Sequence, residues 1–220
     1  MRERLISYLC IFVALLIVLP FHEFAHAFVA VKSGDNTPRL LGRYTLNPLA
    51  HFDPMGLVLF IFAGFGWAKP VPINPTNFRH YKRGCFFTSI AGVTANYITA
   101  FVAFPLMLLS LRMPDLGYFD DIIFEILYDI FFLSLSFFVF NLLPIYPLDG
   151  FRTIDVFVKR KGKIYWFLRK YGQFILLGLL MFSIISDFTG IYWLDFLGIG
   201  LSYVRDIISV PITAFWGLIF

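Results

Sequence analysis

The sequence predicts an all-α polytopic membrane protein: a bundle of about five or six transmembrane helices, with a re-entrant or extended segment between the first two clear spans. Three observations predict it. Hydrophobic residues make up 59% of the 220-residue chain and charged residues only 15%, against roughly 45–50% and 25% in soluble domains. Twenty-nine phenylalanines are more than a soluble fold of this size can hide. Several long runs carry almost no charge, which marks helices that cross a bilayer. A soluble enzyme, a secreted disulfide scaffold and a disordered chain are excluded.

The first span covers residues 5–31, with His22, Glu23 and His26 as its polar interruptions. It begins like a signal peptide, but 17 uncharged residues from Leu5 to Phe21 lead straight into more helical sequence without a small-residue cleavage site. It is therefore expected to be retained. Residues 32–83 differ from it. Gly34, Asn36, Pro38, Gly42, Asn47, Pro48, Pro54, Gly56, Pro70, Pro72 and Pro75 punctuate them, so long helices are not expected there. Their apolar part, 55–68, has the 10–14-residue length of a re-entrant or interfacial segment. Such backbone is tolerated only where protein or a watery cavity receives it, so this stretch is a candidate for lining a site.

Residues 86–111, 26 without a charge, form the clearest span. Residues 122–148 form another, broken near its end by Pro144 and Pro147. Residues 171–186 are uncharged, and residues 166–168 extend them past an interfacial Arg169 and Lys170. The stretch from Thr189 is apolar but carries Asp195, Arg205 and Asp206, and reads as one further span plus an interfacial piece. No internal repeat or interdomain linker appears, so residues 1–220 are expected to form one domain, with a core over 5–155 and C-terminal helices over 165–220.

Loop charges set the expected orientation. Residues 32–83 hold seven Lys/Arg, 151–170 hold seven more, and 112–121 hold Arg112 against Asp115, Asp120 and Asp121. Basic loops collect in the cytoplasm, so the first helix runs from outside to inside, against the weaker preference of Arg2 and Arg4. The net charge of +4 has the same origin and does not indicate a nucleic-acid partner. Cys10 and Cys85 are far apart and read as reduced packing residues. Aromatic residues, 20% of the chain, read as packing and interface anchors for the lipid bilayer.

Ionisable residues inside a span are costly and mark function by default. The first span ends in His22-Glu23-Phe24-Ala25-His26. At 3.6 residues per turn, His22 and His26 stack on one helix face and can reach a single ion. This is H-E-x-x-H on a helix, in which two histidines bind zinc and the glutamate is a general base. Catalytic zinc takes a third protein ligand and keeps an open position. Asp149 is one candidate, at the tip of a stretch unwound by Pro144 and Pro147 and followed by Gly150. Asp129 is a poorer one, near the opposite, acidic end of its span. His51 and Asp53 lie among Asn47, Pro48 and Pro54 and read as turn-fixing residues before extra ligands. His80 reads as solvated.

The histidine motif and Asn141-Leu142-Leu143-Pro144-Ile145-Tyr146-Pro147-Leu148-Asp149-Gly150 together resemble the site-2 protease family of intramembrane zinc metalloproteases. Residues 42–56 and 66–74 are similar to its minimal branch, without PDZ or CBS domains. The resemblance runs over about residues 15–155. It implies His22, His26 and Asp149 as ligands to one Zn2+ per chain, and Glu23 as catalytic base. Asn141 is implied as a substrate-orienting residue, holding either the substrate backbone or a developing oxyanion. Ala91-Gly92-Val93-Thr94-Ala95-Asn96 matches the small-residue motif of the second core helix, except that Val93 stands where relatives usually carry proline. Asn96 is accordingly either a substrate contact or an interhelical hydrogen bond.

The implied activity is hydrolysis of peptide bonds within transmembrane helices of membrane protein or peptide substrates. The implied location is the cell membrane, as a multi-pass protein of bacterial type with the active site near the cytoplasmic side. Extended backbone after residue 32 could pair with an unwound substrate strand. The competing reading is a catalytically silent zinc-binding membrane protein that binds client helices. Intact Glu23 argues against that reading, since structural zinc does not need it. A transporter lacks its repeat-related broken helices here, and a di-iron oxygenase needs more than four histidines. The sequence specifies no oligomeric state.

Overall fold

The computed structural model describes residues 2–56, 59, 66, 68–112 and 117–220. Among them, helices dominate and no strand beyond an isolated bridge forms. Helix α1 (Arg2–Ser33) is followed by two single-turn helices, α2 (Thr37–Leu40) and α3 (Pro48–His51). Two long helices come next, α4 (Tyr81–Ser110) and α5 (Tyr118–Asn141). A short helix, α6 (Asp149–Phe157), leads to α7 (Lys163–Thr189) and α8 (Phe196–Gly217). Five of these, α1, α4, α5, α7 and α8, are long and apolar enough to cross a membrane. The molecule is an all-α polytopic membrane protein. The expected re-entrant segment at 55–68 lies largely outside the described residues, as does Asp115.

Helices α1, α4 and α5 pack against one another pairwise. Lipid is as apolar as leucine, so helices associate in it through close packing, and small residues at the contacts allow that. Ala14 and Val18 of α1, Ala103 of α4 and Ile130 of α5 form one buried cluster. A second joins Ala100 of α4, Leu135 of α5 and Ile212 of α8. Outside this core, large apolar side chains such as Phe174, Phe182 and Phe188 of α7 remain exposed, as befits a surface facing hydrocarbon.

The bundle has two distinct ends. At one, the Arg2 guanidinium lies over the Tyr118 ring, and Arg112 donates to the Phe220 carbonyl at 2.7 Å. The histidine pair and α6 lie toward the other. Helix α8 starts beside Leu142–Pro144, across an apolar groove of about 450 Å³, and ends with Trp216 donating to Phe101 of α4. It therefore runs parallel to α4 and antiparallel to α5. The stretch after Thr189 forms one helix capped by the Asp195 carboxylate, after a single turn at Tyr192–Leu194.

Among the described residues, 34–80 hold only short helices, several of them started by an Asn cap and a following proline. Asn47 caps α3, and Asn74 caps the turn at Pro75–Asn77. Asp35 ties these pieces together. Its carboxylate accepts from the Thr37 amide and hydroxyl, the Asn74 amide at 2.7 Å and the Asn77 side chain at 2.8 Å. Arg43, counted above as a loop charge, is buried instead and donates to the Ala50 and Lys69 carbonyls. Guanidinium donors satisfy loop carbonyls that bilayer and protein would otherwise strand. With Lys69 bonded to the His51 carbonyl and Phe52 bridging Ala68, this holds residues 68–74 extended across α1.

Candidate metal centre

His22 and His26 lie one turn apart on α1, on the face turned to α4, and are 7% and 4% exposed. Pro20, two residues before His22, cannot donate to the Leu16 carbonyl. The two Nε2 atoms are 3.1 Å apart. Such proximity requires α4 to come very close, and Gly92 permits it. A Cβ at that position would lie 2.3 Å from His26 Nε2 and 2.7 Å from His22 Nε2. Here the absence of a side chain is a packing requirement rather than a conformational one.

Asp149 arrives from the far end of α5. After Asn141 the chain unwinds through a cis Tyr146–Pro147 peptide, and it resumes helix at Asp149 itself. Gly150 lets this turn lie on the α5 terminus, since a Cβ there would fall 2.2 Å from the Leu142 carbonyl oxygen. Helix α6 is held by α4 and by the start of α7, with Phe86 against Phe157 and Phe151 stacked on Tyr165. Asp149 Oδ2 consequently sits 3.0 Å from His26 Nε2 and 3.4 Å from His22 Nε2. Oδ1 faces Arg152 at 4.0 Å.

Ligand atoms of His22, His26 and Asp149 all lie within 4.8 Å of one another, the one such group among the described residues. A zinc ion fits this donor set, and the local bonding explains why. The far nitrogen of each ring is engaged: His26 Nδ1 lies 2.7 Å from the Thr88 carbonyl, and His22 Nδ1 lies 3.0 Å from the Asn96 amide. That leaves both Nε2 atoms pointing at Asp149 Oδ2, which is buried and accepts no hydrogen bond. Two nitrogens and one oxygen converging in a buried space are the donors of a catalytic zinc site. Burial raises the Asp149 carboxyl, but the imidazoles of His26 and His22 outweigh it and hold the group well below the carboxylate range.

Glu23 projects from the adjacent position, where its Oε2 accepts the Val71 amide proton at 3.1 Å. Prolines at 70 and 72 have no amide hydrogen, so this is the one backbone donor of the Pro70-Val71-Pro72 stretch. Sequence reading missed the contact, and the two flanking prolines are the signal that could have suggested it.

The other expected residues are placed as follows. Asn141 closes α5 and donates to the Phe137 carbonyl of its own helix at 3.1 Å, outside the three-ligand group. Asn96 is fully buried against His22. Of its two expected roles, the structure holds the interhelical contact, with the Asn96 amide 3.0 Å from His22 Nδ1. Asp129 is buried on α5 and lies outside the three-ligand group. His51 bonds the Thr45 carbonyl, and Asp53 accepts from the Met55 and Gly56 amides, so both serve the turn. His80 is exposed where α4 begins, and Cys10 and Cys85 are free thiols. The Thr88 carbonyl could not be foreseen, since a backbone acceptor carries no sequence signal.

Comparison with known proteins finds relatives named as zinc metalloproteases. No family model matches the chain, and no solved structure matches it. Among curated proteins, "Putative zinc metalloprotease YwhC" of Bacillus subtilis is 43% identical over 148 residues. That match covers 65% of this chain and 66% of the relative, so the chain spans just under two thirds of YwhC. "Putative zinc metalloprotease Rip2" of Mycolicibacterium smegmatis is 28% identical, across 97% of this chain and 84% of its own length. Rip2 of Mycobacterium tuberculosis is 29% identical, across 93% and 80%. The chain is thus a homologue of bacterial proteins that carry the name of zinc metalloproteases, and its similarity to Rip2 runs over nearly all its length.

Proposed function

We propose that this protein is an intramembrane zinc metalloendopeptidase of the site-2 protease family, cleaving peptide bonds within transmembrane helices of other membrane proteins. The observation that carries this reading is the convergence of His22, His26 and Asp149 inside a bundle of membrane-length helices, with Glu23 beside them. One Zn2+ per chain would be held by these three ligands, lowering the pKa of a coordinated water toward ~7 and polarising the scissile carbonyl.

The chain's own residues supply the rest. Glu23 takes the proton of the attacking water as the new C–O bond forms, and returns it to the amine as the C–N bond breaks. The Val71 amide holds the Glu23 carboxylate in place between these transfers. Asn141, on the last turn before the Asp149 loop, orients the substrate. The site is nearer one end of α1, and basic residues crowd the loops of that end. By the positive-inside rule it faces the cytoplasm, from which water is supplied.

Metal analysis and cleavage of a model transmembrane substrate test the proposal together. Wild type is expected to bind one zinc and to cleave. Glu23→Gln is expected to keep zinc and lose at least about 100-fold in rate, the size of a general-base contribution. Zinc binding with equal cleavage by both proteins overturns the role of Glu23. Zinc binding without cleavage by either leaves the client-binding, catalytically silent reading in its place.

A further inference from the structure

We propose that Asn96 is a positioning residue for His22: its side-chain oxygen accepts the Nδ1 proton of the ring and fixes the tautomer that offers Nε2 to a metal. The proposal rests on the metal-site reading above and deepens it.

A neutral imidazole carries one N–H, and its other nitrogen is a lone-pair donor. If Nε2 of His22 serves as ligand, beside His26 Nε2 at 3.1 Å and Asp149 Oδ2 at 3.4 Å, the proton must sit on Nδ1. That atom needs an acceptor. His26 already has one, because the Thr88 carbonyl at 2.7 Å from its Nδ1 can only accept. His22 meets Asn96 instead, eight residues further along the same helix. The Asn96 amide nitrogen is placed 3.0 Å from His22 Nδ1, while its oxygen is buried with no partner.

Two donors facing each other and one orphaned acceptor are both unfavourable, and an unsatisfied buried group costs about 1–3 kcal/mol. Turning the amide by half a revolution about its last torsion exchanges the two atoms, which removes the facing donors and gives the oxygen a partner, while the NH2 takes the oxygen's former place. The contact becomes Nδ1–H donating to Oδ1. Both ligand rings are then oriented by acceptors from α4, one from backbone and one from a side chain. Metal-bound histidines generally need such a partner, and losing it weakens metal binding by about 10–100-fold.

The experiment measures zinc affinity of the purified full chain by chelator competition, with thermal unfolding of the metal-free protein as a check on folding. Asn96→Leu keeps the volume and removes the acceptor. Its zinc affinity is expected to fall by about 10–100-fold with the metal-free unfolding temperature little changed. Asn96→Asp, whose side chain can only accept, is expected to stay within about threefold of wild type. Leucine at wild-type affinity, or aspartate as weak as leucine, overturns the proposal while leaving the metal site standing. A wild type that binds no zinc removes the metal site and the proposal with it.

A second measurement needs no variant. In zinc-loaded, 15N-histidine-labelled wild type, the His22 proton is expected on Nδ1 in a hydrogen bond. Finding it on Nε2 overturns the proposal.

Discussion

Asp35 and Asp149 are both buried carboxylates, and they satisfy the cost of burial in opposite ways. Around Asp35, two backbone amides, a hydroxyl and a side-chain amide fill the lone pairs. Around Asp149, Oδ2 accepts nothing and faces two imidazole nitrogens. The first pattern belongs to a structural staple, the second to the ligand proposed for Asp149. Asp35→Ala should therefore destabilise the fold by about 3 kcal/mol, since bonds to a charged group are worth about 1.5–3 each and are partly replaced by water. Thermal unfolding in detergent checks this. Burial raises the Asp35 carboxyl, but the bonds from Thr37, Asn77 and Asn74 outweigh it and set it below its ordinary value. The folded chain then binds fewer protons than the unfolded one, so this stabilisation is complete above about pH 5 and is lost as pH falls through the folded value. Asp149→Asn, by contrast, keeps the shape and removes the charge, and its zinc affinity should drop by more than about 100-fold, beyond the loss typical of an outer partner.

Helix α4 brings the site together, and Gly92 is the position at which it does so. Intrinsic propensity favours alanine over glycine within a helix by about 1 kcal/mol. Packing opposes this, because the added methyl would sit 2.3–2.7 Å from both imidazoles. Gly92→Ala should lower zinc affinity at least about tenfold through displaced rings, as loss of ligand orientation does, even though the substitution alone favours helix. Titration with a chelator reads the first effect, and helical content of the metal-free protein reads the second. Glycine in the segment 91–96 is visible in the sequence as a small-residue motif. Which side chains it admits became visible only when α1 lay against it.

Across the whole molecule, Arg2, Tyr118, Arg112 and Phe220 gather at one end, and the proposed metal site lies toward the other. Helix α8 starts at the site end and returns to the opposite end, parallel to α4. Because α8 runs parallel to α4, alternate crossing by α1, α4, α5 and α8, with α7 not completing one, would put positions 3 and 218 on the same face of the membrane, opposite to 159–161. Single cysteines at these three places, labelled with an impermeant maleimide from each side, should fall into that two-to-one division. Labelling of 218 together with 160 would show that α7 makes a complete fifth crossing before α8.

What the sequence alone determined is whatever depends on local composition. Apolar runs marked about five or six membrane-length helices, of which the described residues form five, because hydrocarbon admits little else. The i, i+4 spacing of His22 and His26 put both rings on one face, and Pro144 with Pro147 ended α5 near its observed limit. Tertiary structure decided which distant atoms share those rings: the Thr88 carbonyl, the Asn96 side chain, the Val71 amide at Glu23 and the buried guanidinium of Arg43. A backbone group looks alike at every position, and an asparagine reads the same whether it meets a substrate or a neighbouring helix. Only helices packed at close range, without water to serve as an alternative partner, assign each such group its role.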